Sequence, residues 1–189
     1  VVKELPQPDR IAVNGPMAWK NLEQAGQTMT HYVQAEALRY LYLNDLSIQS
    51  QNSLKKKQIK KKKSYFLLLG DYMPDTTRRM LSEVEQAFPH LRGKYVIWIK
   101  QHPANPVDLG RYPRLQAKLT SQPLAELFPH ADLVLASALT VSALDAFCAG
   151  IPVINFLDSY DFNFSPLRGI PDAKFVNSTE EIIEAVEQF

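Results

Sequence analysis

A single cysteine in 189 residues, Cys148, excludes a disulfide framework. It lies among Ala146, Phe147 and Ala149 with no basic neighbour in sequence, so it reads as a buried structural thiol and not as a nucleophile. No Cys/His cluster has metal-ligand spacing, so no metal site is expected. No apolar run reaches the length of a membrane span, and no signal peptide opens the chain, which reads as soluble and cytoplasmic. No Gly-x-Gly-x-x-Gly follows a β run and no Walker A lysine loop is present, which removes the usual NAD, FAD and P-loop readings. An initiator methionine is also missing: the chain begins at Val1, as a fragment or a processed product does.

A 46% hydrophobic content is enough for one sizeable core, or for one full domain and part of another. Charge is distributed unevenly. Lys55–Lys57 and Lys60–Lys63 hold seven positives; with those set aside, the net charge of +1 becomes −6. The globular part is therefore mildly acidic and does not have the footprint of a nucleic-acid binder. From Ser47 to Ser64 the composition is almost free of apolar residues, and a basic linker is expected over 47–64. Attachment of Lys55–Lys63 to an anionic membrane surface competes with a solvated linker, since each lysine near acidic lipid gains about 1 kcal/mol. No aromatics alternate with the lysines, which weakens a nucleic-acid role for the run.

The chain is organised around Ala131–Asp158. Asp132–Ala136 reads as a strand, Ser137–Leu139 as a tight turn, Thr140–Ala149 as a helix stopped by Gly150, and Pro152–Leu157 as a second strand. Two short apolar strands around one helix make a βαβ crossover with parallel, doubly buried strands. Ligands of such sheets sit at the carboxyl ends of the strands. Here that end is Ser137, Ala138, Leu139 and Thr140, where free backbone N–H groups and the helix dipole favour an anion.

Before this unit, residues 1–46 read β-α-β-α: a strand over Pro8–Gly15, a helix over Pro16–Gly26, a third element in Met29–Ala35, then Leu38, Leu41 and Tyr42 at helical spacing. That is the tail of a preceding α/β domain and its connection. Residues 65–189 read as a regular alternation: strand Tyr65–Tyr72, helix Pro74–Phe88 with Met80, Val84, Ala87 and Phe88 on one face, and strand Tyr95–Pro103. Asn105–Leu115 is loop-like, Gln116–Ser121 a short strand, and Pro123–Ala131 a short helix. Lys174–Ser178 and the helix Thr179–Phe189, capped by Ser178 or Thr179, close the chain. The expected fold class is α/β, a doubly wound Rossmann-like parallel sheet.

In such a sheet three strand ends converge: Gly70-Asp71, Lys100–Pro103 and Ser137–Thr140. Gly70 allows a close backbone approach, Lys100 and His102 supply donors for phosphate oxygens, and Pro103 stiffens the turn that presents the imidazole. Asp145 lies among Val141, Leu144 and Cys148, an otherwise apolar face. A carboxylate there needs partners, and ribose hydroxyls are suitable ones. Each has a plainer alternative. His102 serves equally to finish a strand, Ser137 and Thr140 to cap a helix, Asp145 to accept from backbone, and Lys100 as a solvated charge. Tyr160, Asp161, Phe162 and Asn163 border the same edge.

A strand ending Lys-x-His-Pro, followed by the strand-Ser-x-x-Thr-x-x-x-x-Asp-Ala unit and Gly-Ile-Pro-Val-Ile, resembles the nucleotide-binding C-terminal domain of GT-B glycosyltransferases. The resemblance is to bacterial surface-polysaccharide enzymes with an HP motif, sialyltransferase-like and Kdo-transferase-like, and it covers Tyr65–Phe189. It implies that His102 contacts the nucleotide phosphate, that Ser137 and Thr140 bind phosphate, and that Asp145 contacts ribose. It further implies a nucleotide-sugar as substrate, a glycan as acceptor, and no cofactor. Asp145 stands where many relatives carry Glu, and the acceptor-binding half that usually holds the catalytic base is not in these residues. With no Asp-x-Asp, group transfer is expected without a metal. Two alternatives remain: a non-catalytic nucleotide-binding or regulatory module, and a sugar-nucleotide epimerase of the same architecture.

Overall fold

The computed structural model of the chain describes residues 8–26, 31–35, 41–43, 64–160, 162 and 164–189. Two compact units divide the chain, Val1–Leu41 and Tyr42–Phe189. The basic run Lys55–Lys63 lies outside the described residues, as do Leu38, Asp161 and Asn163; Ser64 opens the first strand of the larger unit.

In the smaller unit, β1 (Ile11–Val13), α1 (Pro16–Gln24) and β2 (Tyr32–Gln34) form one crossover, with Ile11 opposite Tyr32 in a parallel pair. Pro16 suits the first helical position, where its missing N–H costs nothing.

The larger unit runs β3 (Ser64–Leu69), α2 (Pro74–Leu91), β4 (Tyr95–Lys100), β5 (Ala117–Thr120), α3 (Leu124–Leu127), β6 (Leu133–Ser137), α4 (Ser142–Cys148), β7 (Val153–Phe156), β8 (Lys174–Val176) and α5 (Thr179–Glu187). All six strands are parallel, in the order β5-β4-β3-β6-β7-β8. The winding direction reverses between β3 and β6, the switch point of a doubly wound Rossmann-like sheet. β6 and β7 are buried along their whole length, which is why they read as apolar runs without alternation.

Helix α2 covers this sheet through Met80, Val84, Ala87, Phe88 and Leu91. It continues past the expected end at Phe88 and across Pro89. Proline forfeits only one N–H there, Arg92 N–H closes the turn on Phe88 O at 2.8 Å, and the extension brings Leu91 to 1% exposure. At α5 the capping question resolves: Ser178 Oγ accepts from Glu181 N–H at 3.2 Å, whereas Thr179 Oγ1 reaches Glu83 Oε2 at 2.5 Å and ties α5 to α2.

Helix α4 ends as expected at Gly150, whose φ of 75° a side chain would resist. Gly150 N–H bonds Phe147 O at 2.9 Å and Ile151 N–H bonds Ala146 O at 3.1 Å, the paired bonds of a Schellman stop. Its start differs from the expected Thr140. Turns at 137–140 and 140–143 intervene, with Thr140 N–H on Ser137 O at 3.1 Å and Ala143 N–H on Thr140 O at 3.3 Å, and the helix begins at Ser142. The expected apolar face is also corrected. Val141 and Cys148 are exposed, and Asp145 is buried beside Ala143 and Ala146, because α4 lays its small residues on the sheet. Cys148 is therefore not a buried thiol. Among the described residues no helix is long and apolar enough to cross a membrane, and no group of His, Cys, Asp and Glu is arranged to hold a metal ion.

Candidate functional site

Register brings the strand ends together: Leu69 lies opposite both Lys100 and Ala136, so Gly70, Gln101 and Ser137 emerge at one level. The turn after β3 is tightly built. Asp71, 2% exposed, accepts from Met73 N–H through Oδ1 at 2.6 Å, while its own N–H donates to Thr77 Oγ1 at 3.1 Å. Asn105 Nδ2 donates to Asp71 O at 3.2 Å, joining this turn to the loop after β4. A Cβ on Gly70 would lie 3.2 Å from Thr77 Cγ2, so the close approach at Gly70 is made by the first turn of α2.

His102 sits half-buried on the adjoining loop, with Pro103 exposed beside it. Its Nδ1 accepts from Ala104 N–H at 3.2 Å, which leaves Nε2 as the ring nitrogen that can donate. Tyr72 meets the imidazole edge-on, with ring centroids 6.4 Å apart. Lys100 turns the other way, its Nζ donating to Ser121 O at 3.0 Å.

At the end of β6 the expectation of free N–H groups is corrected. Ala138 N–H bonds Phe156 O at 2.9 Å, Leu139 N–H bonds Ser137 Oγ at 3.4 Å, and Ser142 N–H bonds Thr140 Oγ1 at 3.4 Å. The turn satisfies its own donors, although its side-chain bonds are long ones. Asp145 is 4% exposed, and its Oδ2 accepts from Tyr42 O–H at 3.0 Å. Cys148, one turn on, is exposed; even so, partial desolvation of the sulfur and, second, the Asp145 carboxylate push its thiol above the usual value. It is protonated at neutral pH and unsuited to nucleophilic work.

Ala138 and Leu139 open into a cleft of about 230 Å³ over the ends of β6, β7 and β8, which Thr76, Asp158, Ser159, Phe162 and Asn177 also line. Asp158 on its wall belongs to an ion pair that has no local signal in the sequence. Arg79 Nε donates to Asp158 Oδ2 at 2.5 Å, a second guanidinium nitrogen pairs with the same oxygen, and Tyr160 N–H donates to Oδ1 at 3.0 Å. The guanidinium lies 5.2 Å from the Tyr160 ring centroid, so it is held from two sides. Asn155, fully buried in β7, sits inside what reads locally as an apolar run. Its Nδ2 donates to Lys174 O at 3.1 Å and its Oδ1 accepts from Ser165 Oγ at 3.1 Å, fixing the chain that returns from the cleft. An Asn inside an apolar β run was the available signal.

A six-stranded parallel sheet in this order, reversing direction between β3 and β6, has the fold of the Rossmann-like half of a GT-B architecture. No family model and no curated protein matches the sequence. Among solved structures, UDP-GlcNAc 2-epimerase from Methanocaldococcus jannaschii, in complex with UDP-GlcNAc and UDP, matches with a TM-score of 0.66 at 16% identity, over 95% of this chain and 54% of that one. The wall teichoic acid polymerase TagF matches with a TM-score of 0.58 at 14% identity, over 95% of this chain and 46% of that one. A trehalose-6-phosphate synthase matches with a TM-score of 0.53 at 12% identity, over 95% of this chain and 52% of that one. The chain thus spans about half the length of these structures.

Proposed function

We propose that this chain is the donor-nucleotide-binding part of a glycosyltransferase that moves a sugar from a nucleotide-sugar to a surface glycan or related acceptor. What supports the reading is that His102 and the Ser137–Thr140 turn follow strands whose ends lie at one level beside the β3/β6 switch point, with the buried Asp145 on the helix after that turn; ligands of open α/β sheets bind at such a point. His102 donates to a phosphate oxygen, Ser137 and Thr140 turn hydroxyls toward the same group, and Asp145 takes ribose hydroxyls. Gly70 and Asp71 shape the first turn around them, with Pro103 stiffening the second and Lys100 adding positive potential at the rim. In the transfer step, neutralising the departing nucleotide's charge is this half's contribution. The reading invokes no resident cofactor or metal. It places the protein on the cytoplasmic side, with Lys55–Lys63 as its contact to an anionic membrane face.

A second reading, a sugar-nucleotide epimerase, is favoured by the fold match to the M. jannaschii epimerase at a TM-score of 0.66. Chromatography of the products formed from UDP-GlcNAc, with and without glycan acceptors, separates the two: an epimerised nucleotide-sugar without acceptor supports the second reading, and acceptor-dependent release of UDP the first. The nucleotide site itself is tested by calorimetric titration of UDP and CDP. His102→Ala is expected to weaken binding about 10-fold, the low end of a hydrogen bond to a charged group, with an unchanged melting temperature. Unaltered affinity would remove His102 from the site.

A further inference from the structure

Asp145 is 4% exposed, and its two oxygens are not open to solvent in the same way as a waiting ligand site. Oδ1 is enclosed by protein, and Oδ2 accepts the phenolic O–H of Tyr42 at 3.0 Å. Tyr42 comes from 103 positions away in sequence. It is the first residue of the larger unit, and Leu43 beside it is 6% exposed, so the hydroxyl is anchored by a buried neighbour. A phenol and a ribose hydroxyl are the same kind of partner for a carboxylate: a neutral O–H donor that makes one charge-assisted bond. No ribose reaches the carboxylate while both of its oxygens are covered.

From this we infer that the Tyr42 hydroxyl stands in for a nucleotide's ribose on Asp145, and that ribose binding and the Tyr42–Asp145 bond exclude each other. The inference rests on the reading of Asp145 as the ribose partner. Exchange replaces one O–H···O⁻ bond by another, so it involves little loss of bonding. Molecules that hold Tyr42 in place nevertheless do not take ribose, so the apparent affinity scales with the fraction in which the Tyr42–Asp145 bond is open. Tyr42 is thus a competitor built into the chain, and a nucleotide that binds must release the start of the larger unit.

The test is calorimetric titration of the full chain with UDP and CDP and with their 2′,3′-dideoxy counterparts, using wild type, Tyr42→Phe and Asp145→Asn. Tyr42→Phe keeps the ring and removes the competitor, and is expected to bind UDP or CDP about 10-fold more tightly. Asp145→Asn is expected to weaken both, and neither change should alter dideoxynucleotide binding. If Asp145→Asn weakens binding but Tyr42→Phe leaves it unchanged or lower, the ribose reading stands and the exclusion is wrong. An equal gain for the dideoxy compounds also overturns it, because the hydroxyl was then not competing with ribose. If Asp145→Asn has no effect, or if no variant binds either nucleotide, the ribose reading fails and takes this inference with it. Should Tyr42→Phe melt before it can be titrated, Leu43→Ala, which loosens the same attachment from its apolar side, is expected to show the same ribose-dependent gain, and its absence counts against the proposal.

Discussion

Two turns leave the sheet at its switch point, and they are built on opposite plans. The turn after β3 is rigid: Asp71 is buried, bonded at 2.6 Å to Met73 N–H and at 3.1 Å to Thr77 Oγ1, and linked through Asn105 to the next loop. The turn after β6 is made of Ser137, Ala138, Leu139 and Thr140, and its side-chain bonds are 3.4 Å long. A short bond to a carboxylate holds one geometry, whereas long bonds to neutral hydroxyl oxygens are weaker and more readily exchanged. A crevice with one fixed wall and one yielding wall follows. The fixed wall is joined through Asn105 to the loop that carries His102, and the yielding wall has the weaker side-chain bonds.

The contrast is open to direct challenge. Its largest expected consequence is at Asp71→Ala, which leaves Met73 N–H without its buried carboxylate. Urea unfolding should show a loss of about 2–3 kcal/mol, and a loss within error of zero would mean that the first turn is not held by this residue. Next comes Arg79→Ala, which removes the ion-pair partner of the cleft residue Asp158. Among the described residues Asp158 is then left buried with the Tyr160 N–H bond alone, for an expected cost of about 2 kcal/mol, less than that of a fully buried pair because the Arg79 side chain is 38% exposed. Raised salt should leave wild-type stability almost unchanged at this pair, whereas a strong salt dependence would assign it to the solvated surface. The smallest effect belongs to the yielding wall: Ser137→Ala should change stability by less than about 1 kcal/mol, since the bond it removes is long and neutral. A loss equal to that of Asp71→Ala would erase the distinction between the two walls.

Much of the architecture was legible in the chain. Apolar runs at Phe66–Leu69, Leu133–Ala136 and Val153–Phe156 announced doubly buried strands, and the Met80, Val84, Ala87 and Phe88 spacing announced the face that α2 buries. Gly150 marked a helix stop that its positive φ explains. Other features had no local signal. Cys148 looked buried because its neighbours are apolar, but burial depends on which side of α4 meets the sheet, and that is a tertiary choice. Thr76, Thr77 and Arg79 looked like ordinary polar residues of a helix start. Their roles depend on β3, β6 and β7 ending beside them.

By itself, then, the sequence determined the element types and their alternation, the parallel sheet that alternation requires, and the strand ends at which polar residues collect. Those properties arise from periodicity, turn chemistry and helix stops, which act over a few residues. Only the tertiary structure decided the partners. Tyr42 found Asp145 across 103 positions, Arg79 found Asp158 across 79, and Thr179 found Glu83 across 96. Such pairs are set by how strands order themselves in the sheet and which helix face is buried, and no short window of sequence contains both members.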